Sequence, residues 1–138
     1  GVTWAPLSGV RLGALGSWLQ TRDVEAERPL SGRPPVRIDT TLGLGAPDAP
    51  VGCSIRGGWQ SASPVFVDAD GDGVDEIRQS PDAVILDGRI AWRPSRSFEV
   101  FAGVDNALDT GDIELNPMRP RRVFAGVNSR IARKRSGT

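Results

Sequence analysis

The sequence predicts an all-β fold, an antiparallel meander of about six to seven long strands that forms part of a transmembrane β-barrel. Three features predict it. Six segments alternate apolar and polar residues with the period of a strand, the connections between them alternate between short and long, and no apolar run approaches the eighteen or more residues that a membrane-crossing helix requires.

Val51 to Gln60 carries the clearest alternation. Val51, Cys53, Ile55, Gly57 and Trp59 point one way, and Gly52, Ser54, Arg56, Gly58 and Gln60 the other. From Ala83 to Arg93 the apolar set is Val84, Leu86, Ile90 and Trp92, against a mixed set with Asp87, Arg89 and Arg93. Val10, Leu12, Ala14 and Trp18 alternate with Arg11, Gly13 and Ser17; Ile38, Leu42 and Leu44 alternate with Arg37, Asp39 and Gly43. Phe98, Val100, Ala102 and Val104 oppose Glu99 and Asp105, while Val123, Ala125, Val127 and Ile131 oppose Arg122, Asn128 and Arg130. A truncated strand at Trp4 makes about seven. The runs are about nine to eleven residues long, more than the five or six usual in soluble sheets and matched to a tilted bilayer-crossing strand.

The connections add an independent pattern. Pro6-Leu7-Ser8, Ala46-Pro47-Asp48-Ala49-Pro50 and Pro94-Ser95-Arg96-Ser97 are rich in turn formers, and longer links cover roughly Thr21 to Pro35, Ser61 to Asp82 and Asn106 to Pro120. Short turns at one end of a meander and long loops at the other are the layout of outer-membrane barrels. Trp92 and Phe98 flank a short turn, whereas Trp18 and Trp59 sit toward the long loops; by parity all four belong to the apolar face, as two interfacial girdles would. The opposite face, of Gly, Ser, Arg, Asp, Glu and Asn, suits either a wet or plugged lumen or the outside of a soluble sheet.

Composition narrows the function classes. Seventeen Lys plus Arg balance seventeen Asp plus Glu, so no overall field draws the chain to nucleic acid, and the basic residues 132–138 read as a solvated tail beyond strands in 1–131. There is no histidine, which removes the commonest general base and transition-metal ligand, and Cys53 stands alone, which excludes an internal disulfide and a cysteine zinc site. No catalytic residue is assigned and no enzyme is expected. Asp105, Asp109, Asp112 and Glu114 occupy or border a loop without a visible base, nucleophile or phosphate cradle.

Asp68-Ala69-Asp70-Gly71-Asp72-Gly73-Val74-Asp75-Glu76 is the one segment with sharply specified chemistry. Alternate carboxylates with Gly73 can bend around a hard cation, so Asp68, Asp70, Asp72, Asp75 and Glu76 form a possible calcium loop. An EF-hand would place a bidentate Glu at its twelfth position, where Gln79 stands here, so binding is expected to be weak.

Phe98-Glu99-Val100-Phe101-Ala102-Gly103-Val104-Asp105-Asn106-Ala107-Leu108-Asp109 resembles the penultimate strand of TonB-dependent receptors, which runs into a loop through an Asn-Leu-Phe-Asp type signature. Asn116-Pro117-Met118-Arg119-Pro120-Arg121-Arg122-Val123-Phe124-Ala125-Gly126-Val127 looks like the family's last strand, and Pro29-Leu30-Ser31-Gly32-Arg33-Pro34-Pro35 like its return from an extracellular loop. The resemblance implies a C-terminal barrel fragment in the bacterial outer membrane, set in the lipid bilayer and installed by the barrel-assembly machinery. It also implies missing N-terminal strands and a missing plug domain, contact with TonB only through that absent region, and uptake of a metal chelate, cobalamin-like cofactor or glycan by the intact receptor. About seven strands cannot close a barrel of about 22. The alternative is a secreted calcium-binding β-domain acting as an adhesion or interaction module. The two readings separate on one observation: a barrel wall exposes Trp18, Trp59, Trp92 and Phe98 in an outward band, whereas a sandwich buries them between sheets.

Overall fold

The computed structural model describes residues 1–24, 27–46, 48–68, 71, 73–111 and 115–129. They form nine strands: β1 (Val2–Leu7), β2 (Val10–Trp18), β3 (Val36–Leu44), β4 (Val51–Gln60), β5 (Ser63–Val67), β6 (Glu76–Ser80), β7 (Ala83–Ser95), β8 (Phe98–Asp105) and β9 (Arg122–Ser129). Seven build one antiparallel sheet in the order β1-β2-β3-β4-β7-β8-β9, and β5 and β6 form a separate hairpin inside the link between β4 and β7. No described residue is helical. The six alternating runs therefore pair sequentially, held to it by short turns at β3–β4 and β7–β8 and continuing across the longer links at β2–β3, β4–β7 and β8–β9.

Register keeps the apolar sets together. Trp59 lies between Ile38 of β3 and Val84 of β7, Cys53 between Leu44 and Ile90, and Val100 of β8 between Trp92 and Val127. Directly opposed residues share a face, so apolar side chains run across all seven strands. Trp4, opposite Leu12, joins them. A one-residue slip anywhere would send a strand's apolar set to the polar side, which pins the register.

Two predicted turns are displaced by one or two residues for one reason. Pro6 lies within β1 and Pro94 within β7, and in each strand the register shifts beside the proline, between Trp4 and Leu7 and between Trp92 and Ser95. A proline cannot donate to the ladder, and a bulge is where that missing N–H is tolerated. The chain then reverses at Ser8-Gly9 and at Arg96-Ser97. Gly9 has φ +91°, a conformation glycine adopts without steric cost.

The sheet has no hydrophobic core of its own. Ala83 and Ala91 are its only fully buried apolar residues among those described, whereas Trp18 is 77% exposed, Trp92 54%, Ile90 53% and Val123 78%. Backbone ladders and cross-strand pairs join the strands, and the large apolar side chains face outward.

The β5–β6 hairpin lies inside the long link that the sequence places over Ser61 to Asp82. Its strands are only five residues each, and Pro64 interrupts the first. The neighbouring loop braces it. Gly32 N–H donates to Pro64 O at 2.8 Å, Phe66 N–H donates to Ser31 Oγ at 3.1 Å, and Arg28 donates to Asp75 at 2.8 Å while stacking 4.2 Å from the Phe66 ring centre.

Candidate functional site: two faces and a loop cluster

The apolar face ends in aromatic residues at both margins. Trp18 pairs with Val36 and Trp59 with Val84 toward the long loops; Trp92 pairs with Val51, and Phe98 with Ser129, beside the short turns. Trp59 also donates its indole N–H to Asp82 at 3.3 Å, keeping its polar edge at the loop side. Eight residue steps on β7 separate Val84 from Trp92. At about 3.3 Å per step that is roughly 26 Å along the strand, and a tilt of about 40° leaves a band about 20 Å tall, close to the apolar belt of membrane barrels.

The polar face is a set of carboxylates shared between arginines. Asp39 accepts from Arg37 at 2.9 Å and Arg56 at 3.1 Å; Glu99 accepts from Arg89 at 2.8 Å, Arg93 at 2.7 Å and Asn128 at 3.2 Å. Asp105 holds Arg122 at 2.6 Å. Each pair bridges strands or near neighbours on one strand, and the partial exposure of the guanidinium groups keeps their individual energies small. Phe101 and Phe124 also stand on this face. Each lies over a glycine of the adjacent strand, Phe101 over Gly126 and Phe124 over Gly103, with their centroids 6.3 Å apart in an edge contact. Arg89 covers the Phe101 ring at 4.4 Å.

Asp105-Asn106-Ala107-Leu108-Asp109 forms a knot where β8 enters its loop. Asn106, 5% exposed with φ +48°, donates through its side-chain amide to Thr110 O at 2.8 Å and Arg119 O at 2.9 Å, and its side-chain oxygen accepts from Thr110 N–H at 3.1 Å. Its backbone N–H reaches the Asp87 carboxylate at 2.9 Å, and Asp109 accepts from Arg121 N–H at 2.9 Å. Asn is the residue that combines tolerance of a left-handed backbone with donors and an acceptor in one short side chain. Asn106→Ala should therefore cost about 2 kcal/mol by leaving the carbonyls of Thr110 and Arg119 and the Thr110 amide without their partner. Denaturant unfolding, with amide exchange at Thr110, measures it; stability unchanged within error would refute the knot.

The acidic loop is divided. Asp68 accepts from Gly71 N–H at 2.8 Å and Gly73 N–H at 3.0 Å, so its carboxylate closes the turn. Asp75 is held by Arg28, and Glu76 lies 3.8 Å from Arg78. Asp70 and Asp72 lie outside the described residues, as do Asp112, Glu114 and residues 130–138 with Ile131 and the basic tail. Among the described residues no three acidic, Cys or His side chains gather in a way that could hold a metal.

A single meandering sheet with one continuous apolar face and one ion-paired face has the fold of a strip of barrel wall from a TonB-dependent outer-membrane receptor. No protein-family model and no curated protein matches the chain. Among solved structures it is similar to a double mutant of the ferric enterobactin receptor PfeA of Pseudomonas aeruginosa, with a TM-score of 0.73 and 19% identity over 93% of this chain and 21% of that one. A second crystal structure of PfeA gives a TM-score of 0.71 and 17% identity, with the same coverage. The chain thus spans about a fifth of the length of those receptors.

Proposed function

We propose that this chain is a section of the wall of an outer-membrane receptor and transport barrel of the TonB-dependent kind, non-catalytic in itself. Its apolar face meets the bilayer, its polar face lines the lumen, and the loops after β2, β4 and β8 face the outside. Trp18, Trp59, Trp92 and Phe98 then form the two interfacial girdles, joined by Trp4. The observation that carries this reading is the exposed apolar surface shared by all seven strands. Such a surface is larger than a soluble monomer tolerates, and its height of about 20 Å approaches the roughly 25 Å apolar band of membrane barrels. A sandwich would bury those residues against a second sheet, and the only other sheet described is the small β5–β6 hairpin in the loop cluster. Likeness to a ferric enterobactin receptor favours a metal chelate over a cobalamin-like or glycan ligand for the intact protein. Plug, TonB and barrel-assembly machinery are its implied partners.

Cys53 provides a built-in probe, since it lies on the apolar face two residues inside the short-turn end of β4, between Leu44 and Ile90. In membranes holding the full-length protein, Cys53 should react with an apolar maleimide and resist a charged, membrane-impermeant thiol reagent. The reverse preference would overturn the assignment of faces.

We further propose weak calcium binding at the acidic loop, supported by the sequence of alternating carboxylates and by the turn that Asp68 closes. Arg28 competes with any cation for Asp75. Calorimetry on the folded full-length protein should give a dissociation constant on the order of 10⁻⁴ to 10⁻³ M, tightened by Arg28→Ala. No heat at millimolar Ca²⁺ in either protein would remove the site.

A further inference from the structure

The β5–β6 hairpin is capped along one edge and open along the other. On β5, Pro64 O accepts from Gly32 N–H and Phe66 N–H donates to Ser31 Oγ, so both residues turn these backbone groups toward the loop after β2. Pro64 is opposite Gln79 and Phe66 is opposite Ile77. In an antiparallel ladder the two members of such a pair point their N–H and C=O groups away from each other. Ile77 and Gln79 therefore present theirs along the outer edge of β6, where no described residue bonds to them. The side chains of this edge are exposed as well, Ile77 at 68%. Glu76 and Arg78 flank Ile77 and lie 3.8 Å apart, a loose surface contact that leaves both charges able to pair elsewhere.

We propose that this edge joins a second copy of the chain, β6 against β6, in an antiparallel pair centred on Ile77. An edge strand with open backbone groups is a template for another strand, and charge decides which strand fits and in which register. Centred on Ile77, the two strands exchange two backbone hydrogen bonds at Ile77, set isoleucine beside isoleucine and oppose Glu76 to Arg78 at both ends. Centring on Glu76 or on Arg78 would oppose like charges. Centring on Gln79 would set Glu76 against Asp82 and Ile77 against Pro81, which has no N–H to donate. Glu76-Ile77-Arg78 is thus the complement of its own edge, and pairing one patch with itself closes at a dimer. Two short strands bury little area, so the dimer is weak and reversible. The proposal goes beyond the barrel-wall reading and needs from it only that the hairpin stands outside the bilayer.

Energy transfer between two differently labelled populations of the full-length protein in detergent tests it, since a micelle imposes no relative orientation on two barrels. The parent should associate with itself. Glu76→Arg and Arg78→Glu should each weaken that association by about tenfold or more, because either one opposes like charges at both ends of the pair. Mixing the two variants should restore it, each strand then meeting its complement in the other, and Glu76→Arg/Arg78→Glu should associate with itself. The restored pairings also show that the substituted hairpins still fold. No energy transfer in the parent, association that survives either single reversal, or a mixture no better than the variants alone would overturn the proposal. The barrel-wall reading stands or falls separately, on the labelling of Cys53.

Discussion

Gly103→Val is expected to disrupt the β8–β9 pairing, at a cost of about 3 kcal/mol from overpacking alone. A Cβ on Gly103 would stand 2.5 Å from Phe124 Cζ and 2.7 Å from the carbonyl oxygen of Gly88; on Gly126 it would stand 2.6 Å from Phe101 Cζ. The ring could swing away, but the Gly88 oxygen belongs to the backbone of β7 and is fixed by the ladder. The arrangement is reciprocal, because Phe-Ala-Gly occurs in both antiparallel strands at 101–103 and 124–126, so each ring meets the other strand's glycine. A two-residue slip in one direction would oppose the two rings, and in the other the two glycines. The motif therefore fixes register as well as filling space. Stability of the full-length protein by reversible denaturation in lipid measures the effect. Gly103→Val/Phe124→Ala should recover part of the loss, the remainder being the clash with Gly88. A single variant as stable as the parent would show that the rings do not rest on the glycines.

Much of this sheet was legible because each strand separates two unlike environments, so period-2 alternation is strong and the boundaries of Val51–Gln60 coincide with β4. The same parity put Trp18, Trp59 and Trp92 on the apolar face, where the register sets each opposite an apolar partner, and Phe98 on the same face beside Ser95 and Ser129. Trp4 could not be placed, since its strand is short and Pro6 breaks its period; only its pairing with Leu12 assigns it. Phe101 and Phe124 were missed as polar-face residues, although their odd-even positions and the repeated Phe-Ala-Gly carried the signal. Glycine on a neighbouring strand explains them, and strand pairing is a three-dimensional fact. The β5–β6 hairpin was illegible for a different reason. Ser63–Val67 and Glu76–Ser80 are too short to show a period, and their order depends on Ser31, Gly32 and Arg28 from a distant loop. Asn106 stood out in sequence by resemblance; its side-chain bonds to Thr110 and Arg119 show that the motif acts by tying a loop to the strand end.

Ile55→Arg is expected to destabilise the folded protein in a bilayer by about 2–4 kcal/mol, the cost of a charge on the lipid face near the midplane. Ile55 lies midway between Val51 and Trp59 on β4, pairs with Leu42 and Gly88, and is 39% exposed in the sheet. Its side chain has the aromatic margins on either side and no water within reach if the apolar face meets lipid. The same substitution at its neighbour Ser54 points into the polar face opposite Arg89, where water screens the like charges, and should cost less. At Trp59 the charge reaches the interface, so its depth-dependent part falls to about 0–1 kcal/mol, leaving the lost aromatic contact. Stability should thus fall steeply from 54 to 55 and recover toward 59, a pattern that combines strand parity with bilayer depth. Urea unfolding from lipid vesicles measures all three variants of the full-length protein. Equal costs at 54 and 55 would mean that the two faces meet the same solvent, and the membrane assignment would fail with that result.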